Sequence, residues 1–399
     1  MDVRSNEPYS LIVNSLESSY PSLKESISSE ILIIGAGITG ALIAYQLLEE
    51  GKKIVMVDKR DVCNGSTAAS TSILQYEIDV PLHELINQIG LTPAVSSYQN
   101  CEKSIKDLKK IVNKIKSDCG FKYQNSIYFS STKKDVDFLK KEFEARKEHG
   151  FEVKWLEKDD LEKLGLKGYG AIDSTSGARM DVYKFTNDLL SYLSNKGVKI
   201  YDRTTIENIK QKENKIKGKT NDGFIIDVDA IVHCSGYEST NTVKKDIVKL
   251  KSTFALVSEA YEVMPNAFQN TLYWNTDSPY LYFRSTSDGR IMMGGGDRDF
   301  RNPKLRDALL PKKEKELVKA FKKCFPKIPF VADYSWAGTF GETKDGLPYF
   351  GKEDPQSNEH YILGFGGNGI TFSVMGMEAI VHSLNNTPHP YLEYYKFNR

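Results

Sequence analysis

Cysteine is sparse in this chain. Cys63, Cys101, Cys119, Cys234 and Cys324 are the five in 399 residues. Their number is odd and no two form a CxxC pair, which argues against a disulfide framework or a thiolate zinc site and fits a reducing compartment. The six histidines, His83, His149, His233, His360, His382 and His389, are scattered, without HExxH or a His/Cys cluster, so no metal centre is expected. Neither charge is in excess: 54 Lys plus Arg face 53 Asp plus Glu, a net charge of +1. That balance gives no global pull toward nucleic acid, an anionic membrane or acidic substrates. Residues 1–30 carry Asp2, Arg4, Glu7, Glu17, Lys24, Glu25 and Glu30. They lack a basic stretch followed by an apolar core, so no signal peptide is expected and the cytoplasm is the default location. One uncharged run, Ile31 to Leu48, has the 18 residues at which a membrane span is considered. Gly35, Gly37, Thr39, Gly40, Tyr45 and Gln46 inside it point elsewhere, and no integral membrane span is expected.

What is present describes a globular protein. Hydrophobic residues make up 40%, with 29 glycines, enough for a sizeable core and two or three domains. Lys103 to Lys116 and Lys312 to Lys323 carry apolar residues at helical spacing and read as surface helices with solvated faces. Residues 31–58 read strand, glycine turn, helix, strand. Ile31 to Ile34 and Ile54 to Val57 are short apolar runs of the kind found in buried parallel strands. Thr205 to Ile231 reads as a meander turning at Asn221-Asp222-Gly223. Ala230 to Cys234 is another apolar strand, residues 252–300 are strand-rich, and a helix runs from about Thr371 to Leu384. Dinucleotide-type segments therefore sit at the start, middle and end, with other elements inserted between them.

The glycine turn is Gly35-Ala36-Gly37-Ile38-Thr39-Gly40. GxGxxG alone is a weak signal, but here an apolar strand precedes it, a helix follows, and an acid ends the next strand. Gly35 permits the tight turn, Gly37 lets backbone approach a pyrophosphate, and Gly40 lets helix and strand pack closely. The helix N-terminus presents N–H groups and a positive dipole end to phosphates. Asp58, 18 residues after Gly40, stands where a carboxylate takes a ribose hydroxyl pair. Lys59 and Arg60 follow it, either exposed or near an adenine.

Beyond this turn, the chain resembles the FAD-dependent D-amino acid oxidase superfamily, which holds glycine oxidase, sarcosine oxidases and γ-glutamylputrescine oxidase-like enzymes. Three segments carry the resemblance across about residues 31–385. They are the glycine block with Asp58 and Gly65-Ser66-Thr67; the strand ending His233-Cys234-Ser235-Gly236; and Trp336-Ala337-Gly338 through Thr343-Lys344-Asp345-Gly346-Leu347-Pro348, followed by Gly364-Phe365-Gly366-Gly367-Asn368-Gly369-Ile370. The resemblance implies an α/β fold: a Rossmann-like FAD-binding domain interleaved with an α+β substrate domain on an antiparallel sheet. The expected division is an arm at 1–30, FAD-binding segments at 31–90, 172–250 and 331–399, and substrate-domain segments at 91–171 and 251–330. It implies FAD contacts from Gly35, Gly37, Ile38, Thr39, Gly40, Asp58, Lys59, Ser66, Thr67, Ser235, Gly236, Asp345, Gly366, Gly367, Asn368, Gly369, Ile370 and Thr371. Ser66 and Thr67 supply hydroxyls, Ser235 and Gly236 allow close approach, and the last glycine loop opens a helix toward the flavin.

The implied reaction is oxidation of the C–N bond of a small amine or amino acid by hydride transfer to flavin N5, giving an imine that hydrolyses, with O2 or another acceptor taking the electrons. Basic side chains hold the substrate carboxylate in relatives, but the matching positions here are Phe340, Ser72 and Thr371. The lysine that promotes oxygen reaction in sarcosine oxidases is matched by Met292. Tyr280, Tyr282 and Arg284 alternate along a strand, and Tyr282 and Arg284 are the expected substrate-orienting residues. Gln75, Glu77 and Asp79 are candidates for holding an ammonium. Two alternatives stay open: an activity like that of a tRNA-uridine side-chain oxidase, and a catalytically degenerate flavin-binding protein. Relatives that attach FAD covalently use a histidine after the Gly-Ser-Thr segment, where Ala68 and Ala69 stand here, or a cysteine near the C-terminal glycine segments, for which Cys324 is too early. Non-covalent FAD is therefore expected. Acid precipitation should leave yellow flavin in the supernatant; colour retained on the denatured protein contradicts this.

Overall fold

Apolar runs of four residues form the centre of the first sheet. Ile31–Ile34 and Ile54–Val57 contain no polar side chain and are almost wholly buried, as strands covered on both faces must be. The computed structural model describes residues 4–212, 215–364 and 366–399. Residues 1–3 of the arm, 213–214 of the meander and Phe365 of the last glycine segment lie outside the described residues. The sheet has six strands in the order Tyr349–Gly351, Glu359–Leu363, Ala230–His233, Ile31–Ile34, Ile54–Val57 and Lys199–Tyr201. All neighbours are parallel except the first pair. One face is covered by helices Ile38–Glu49, Val182–Asn195 and Gly369–Leu384, whose side chains share one core with Leu91–Ile115. The other face packs Leu32, Val55, Val57 and Ile231 against Ile216, Ile226 and Val228 of a small four-stranded sheet.

The large sheet has ten strands. Its main path runs Arg4–Ser5, Ala332–Glu342, Lys249–Ser258, Ile291–Asp299, Tyr282–Ser285, Thr271–Asn275, Lys122–Phe129, Ala171–Arg179 and Ile73–Leu74, with Val153–Leu156 also on Ala171–Arg179. Pairing is antiparallel except between Thr271–Asn275 and Lys122–Phe129. Helix Pro303–Cys324 seals it with Leu310, Leu317 and Phe321. Ile73–Leu74, Ala171–Arg179 and Ala332–Glu342, which lie wholly or mostly within the segments expected to bind FAD, are all strands of this second sheet. Their hydrogen-bond partners decide the matter, and strand periodicity alone does not name a partner.

The N-terminal arm is woven into the body. Arg4–Ser5 pairs with Ala337 and Gly338, helix Tyr9–Asn14 packs on Ser66–Ala69, and Ile27–Ser28 pairs with Ile225–Val228. Tyr9 is buried and hydrogen-bonded to Asp288, and the Ser10 hydroxyl donates to the Ala68 carbonyl. No helix among the described residues is long and apolar enough to cross a membrane; the uncharged run from Ile31 resolves into strand, turn and helix.

The turn between Ile34 and Ile38 sets how closely helix follows strand. A methyl group on Gly40 would lie 1.9 Å from the Gly35 carbonyl oxygen, which is backbone and has no rotamer to yield. Gly40→Ala is expected to destabilise the protein by about 1–3 kcal/mol, as overpacking of a filled core does. An unchanged urea midpoint contradicts that reading.

Candidate active site

The parallel strands Ile31–Ile34, Ile54–Val57 and Ala230–His233 end side by side, and a cavity of about 490 Å³ opens at those ends. Crevices at the carboxyl ends of parallel strands are where such sheets bind ligands. One wall is backbone. Gly35 has φ +109° and sits against the Cys234 carbonyl, so a side chain there is excluded. Gly37 starts helix Ile38–Glu49 and presents no side chain; a methyl group would come within 2.8 Å of the Thr67 hydroxyl. That hydroxyl accepts the Ile38 N–H at 3.0 Å.

Asp58 locks the same turn. Its Oδ2 accepts the Ala36 N–H at 2.8 Å and its Oδ1 the Arg60 N–H at 2.9 Å. Burial pushes its carboxyl above the ordinary value while these two donors pull it down. Beyond it Glu238 receives Lys59 at 2.6 Å and Arg60 at 3.0 Å. Burial pushes the Glu238 carboxyl up, but hydrogen bonds from Arg60 and Lys59 carry it below its ordinary value.

The far end of the cavity is an aromatic chamber with acids in its wall. Tyr237, Trp274, Tyr280, Tyr282 and Phe340 line it, with Asp79 and Asp297. Trp274 stacks on Tyr128 with ring centres 3.6 Å apart. Tyr282 lies against Gly294, where a methyl group would be 2.1 Å from the phenol oxygen, so the glycine makes room for the ring. Asp79 fixes the C-terminal glycine loop: its Oδ2 accepts the Gly367 N–H at 2.8 Å and its Oδ1 the Tyr280 hydroxyl at 2.9 Å. The Asn368 amide donates to the Gln75 and Glu77 carbonyls. Helix Gly369–Leu384 thus begins at the cavity wall, with Gly366, Gly367, Asn368, Gly369 and Ile370 all facing the space.

Of the residues expected from the sequence, Gly35, Gly37, Ile38, Thr39, Asp58, Lys59, Ser66, Thr67, Ser235, Gly236, the Gly366–Ile370 loop and Tyr282 line this one cavity. Four do not. Gly40 packs against Gly35. Asp345 pairs with Arg399 at 2.6 Å and accepts the Leu347 N–H, which closes the Thr343–Leu347 turn. Thr371 is buried and donates to the Asn368 carbonyl within its own helix start. Arg284 lies further along its strand than Tyr282 and donates to the Thr71 and Ser285 carbonyls. Burial and the neighbouring Arg179 lower its pKa to about 10. It props the Thr71 segment from behind. Glu77 does line the cavity, and its side chain pairs with the fully buried Arg146 at 3.3 Å. Met292 packs with Tyr9 and Trp336 beneath the arm.

The sequence reading missed Asp297. Gly294-Gly295-Gly296 inside a strand was the available signal, since glycine in a strand interior marks a bulge. The register between Lys249–Ser258 and Ile291–Asp299 does slip there, between Ser252 and Phe254. Gly295 and Gly296 take φ +135° and +68°, and the extra residue turns Asp297 to the cavity.

A backbone-lined cradle at a helix N-terminus, a carboxylate at the next strand end and a second helix start at the far end fit FAD. The model of the family described as FAD dependent oxidoreductase, DAO, matches residues 30–381, and the chain belongs to that family of FAD-dependent oxidoreductases. It is 22% identical over 382 residues to the probable oxidoreductase OrdL of Haemophilus influenzae, covering 92% of this chain and 85% of that protein. It is 22% identical over 378 residues to the gamma-glutamylputrescine oxidoreductase of Escherichia coli, covering 92% and 85%. Its fold matches that of glycine oxidase from Geobacillus kaustophilus with a TM-score of 0.77 at 18% identity, over 93% of this chain and 99% of that one.

The Asp79 tether yields a prediction. Asp79→Ala leaves the Gly367 N–H without its acceptor, a loss of about 1–3 kcal/mol. FAD affinity, read by fluorescence titration of the apoprotein, is expected to fall about tenfold or more. Unchanged affinity contradicts the loop's role.

Proposed function

We propose that this chain oxidises the C–N bond of an amine that carries no carboxylate beside the reacting carbon. One observation carries the reading. Among the described residues lining the cavity, the only lysine and arginine are Lys59 and Arg60, and both are paired with Glu238 at the end away from the chamber. The chamber offers acids and aromatic rings, which suit a cation and repel a carboxylate. The positions expected to be basic are Phe340 and Ser72, which line the cavity, and Thr371, which does not. Relatives with amine or amino-acid names support the class of reaction.

When bound, FAD would supply the two-electron acceptor for the hydride leaving the carbon beside a neutral amine nitrogen, and water would hydrolyse the resulting protonated imine to a carbonyl compound and an ammonium ion. The protein's contribution is placement and exclusion of water. Gly35, Gly37, Ile38, Thr39, Asp58, Ser66, Thr67, Ser235 and Gly236 are proposed to hold the dinucleotide without a covalent bond. The Gly366–Ile370 loop is proposed to hold the ring end. Tyr282, fixed by Gly294, and Tyr280, fixed by Asp79, form the rigid wall that orients the substrate.

Anaerobic mixing tests this with two compounds of one skeleton. Benzylamine is expected to bleach the visible flavin bands, and phenylglycine, which adds only the carboxylate, to bleach them at least tenfold more slowly. The opposite order contradicts the proposal.

A further inference from the structure

The chamber wall contains an acid with an unanswered oxygen. Asp297 lines the cavity, and its Oδ1 is buried without a hydrogen-bond partner. Buried polar atoms almost always have partners, so an exception calls for a physical cause. The glycine bulge supplies one. It interrupts the ladder opposite Thr253 and turns this carboxyl toward the cavity, a local irregularity that a regular strand of the same sheet lacks. Trp274, in the same wall, has a buried indole N–H that also lacks a partner. Of the neighbouring acids that line the cavity, Asp79 is by contrast engaged by Gly367 and Tyr280, and Glu77, whose Oε2 also lacks a partner, is already paired through Oε1 with Arg146 at 3.3 Å.

We propose that Asp297 is the counter-ion that receives the substrate's ammonium group: its carboxylate pairs with the charged nitrogen beside Trp274, Tyr280 and Tyr282, and takes one proton from it before the hydride leaves, so that the reacting amine is neutral. This rests on the amine reading above and names the residue that enforces it. A carboxylate in a low-dielectric wall is costly when unpaired, and an alkylammonium satisfies it while the ring faces add cation–π attraction. The surroundings agree. Asp79, Glu342 and Lys251 face Asp297 from neighbouring segments, Tyr280 and Tyr282 from the facing wall, and Lys313 reaches Gly296 from helix Pro303–Cys324. Lys313 is already paired with Glu316 at 3.0 Å and Lys251 with Asp299 at 2.9 Å. Burial, Glu342 and Asp79 push the Asp297 carboxyl up, to about 7, against the Thr253 hydroxyl and Lys251. A cation binds the ionised form, so its affinity should weaken as pH falls below that value.

The test uses the FAD-loaded protein and two probes that share a tert-butyl group and differ in charge, tert-butylammonium and pivalate. Neither has a hydrogen on the carbon bearing its charged group, so neither is oxidised there and calorimetry reads binding alone. Wild-type protein is expected to bind tert-butylammonium and not pivalate, and Asp297→Asn to weaken the cation at least tenfold while keeping its flavin. Cation binding equal within twofold in the two proteins overturns the assignment of Asp297 and leaves the amine reading standing. Wild-type protein that takes pivalate and refuses the cation overturns both, and wild-type protein that binds neither overturns the assignment. Should Asp297→Asn not hold flavin, the wild-type pH profile decides. The probe stays protonated well above pH 8, as alkylammonium groups do. Its affinity is expected to fall toward tenfold per pH unit below about 7, and a constant affinity from about pH 5.5 to 8 overturns the proposal.

Discussion

The site depends on one close approach of backbone to backbone. Helix Ile38–Glu49 can begin directly behind strand Ile31–Ile34 only because Gly40 has no side chain to strike the Gly35 carbonyl. The turn is then held from two sides, by Asp58 on the Ala36 N–H and by Thr67 on the Ile38 N–H. With that turn fixed, Gly37 faces the cavity as bare backbone at a helix N-terminus, the arrangement that favours phosphate. The segment carrying Thr67 is itself pressed into place by the N-terminal arm, through Ser10 on the Ala68 carbonyl. Cradle, cap and arm are therefore mechanically one unit.

The opposite end follows a different logic. There the wall is built from side chains, and their positions come from the large sheet. Gly294 gives Tyr282 a flat seat, the Gly295–Gly296 bulge turns Asp297, and Asp79 joins the glycine loop to Tyr280. The cradle end presents mostly backbone to the cavity, and the chamber end presents mostly side chains. The charge follows the same division: Lys59 and Arg60 lie at the strand-end side, while acids and aromatic rings occupy the chamber.

Much of the cradle was legible in the sequence because its chemistry is local. A strand, a glycine turn, a helix and an acid at fixed spacing determine their own geometry, so Gly35, Gly37, Thr39 and Asp58 fall where the spacing puts them. The chamber was less legible because it is assembled from distant segments. Asp345 stands in a motif that promises a ligand contact, yet Arg399, 54 residues on, claims its carboxylate. Arg284 shares a strand face with Tyr282 but lies beyond the cavity, where a carbonyl of the Thr71 segment meets it. Glu77 is paired with Arg146. Each outcome turns on a partner far away in sequence, and spacing cannot name it. Asp297 is the converse: a glycine-rich strand interior signalled a bulge, but not the direction in which the next side chain would turn. The sheet that strands Ala171–Arg179 and Ala332–Glu342 join is likewise set by their partners.

The central claim is that the backbone cradle and the acidic aromatic chamber are two ends of one ligand site. A crystal structure of the protein with FAD tests it most directly. The account predicts the pyrophosphate at Gly35–Thr39 and the isoalloxazine ring against the Gly366–Ile370 loop, with Asp297 and Tyr282 facing the same ring across a space for a small cation. A ring seated away from that loop, or an Asp297 turned out of the chamber when flavin is bound, contradicts it.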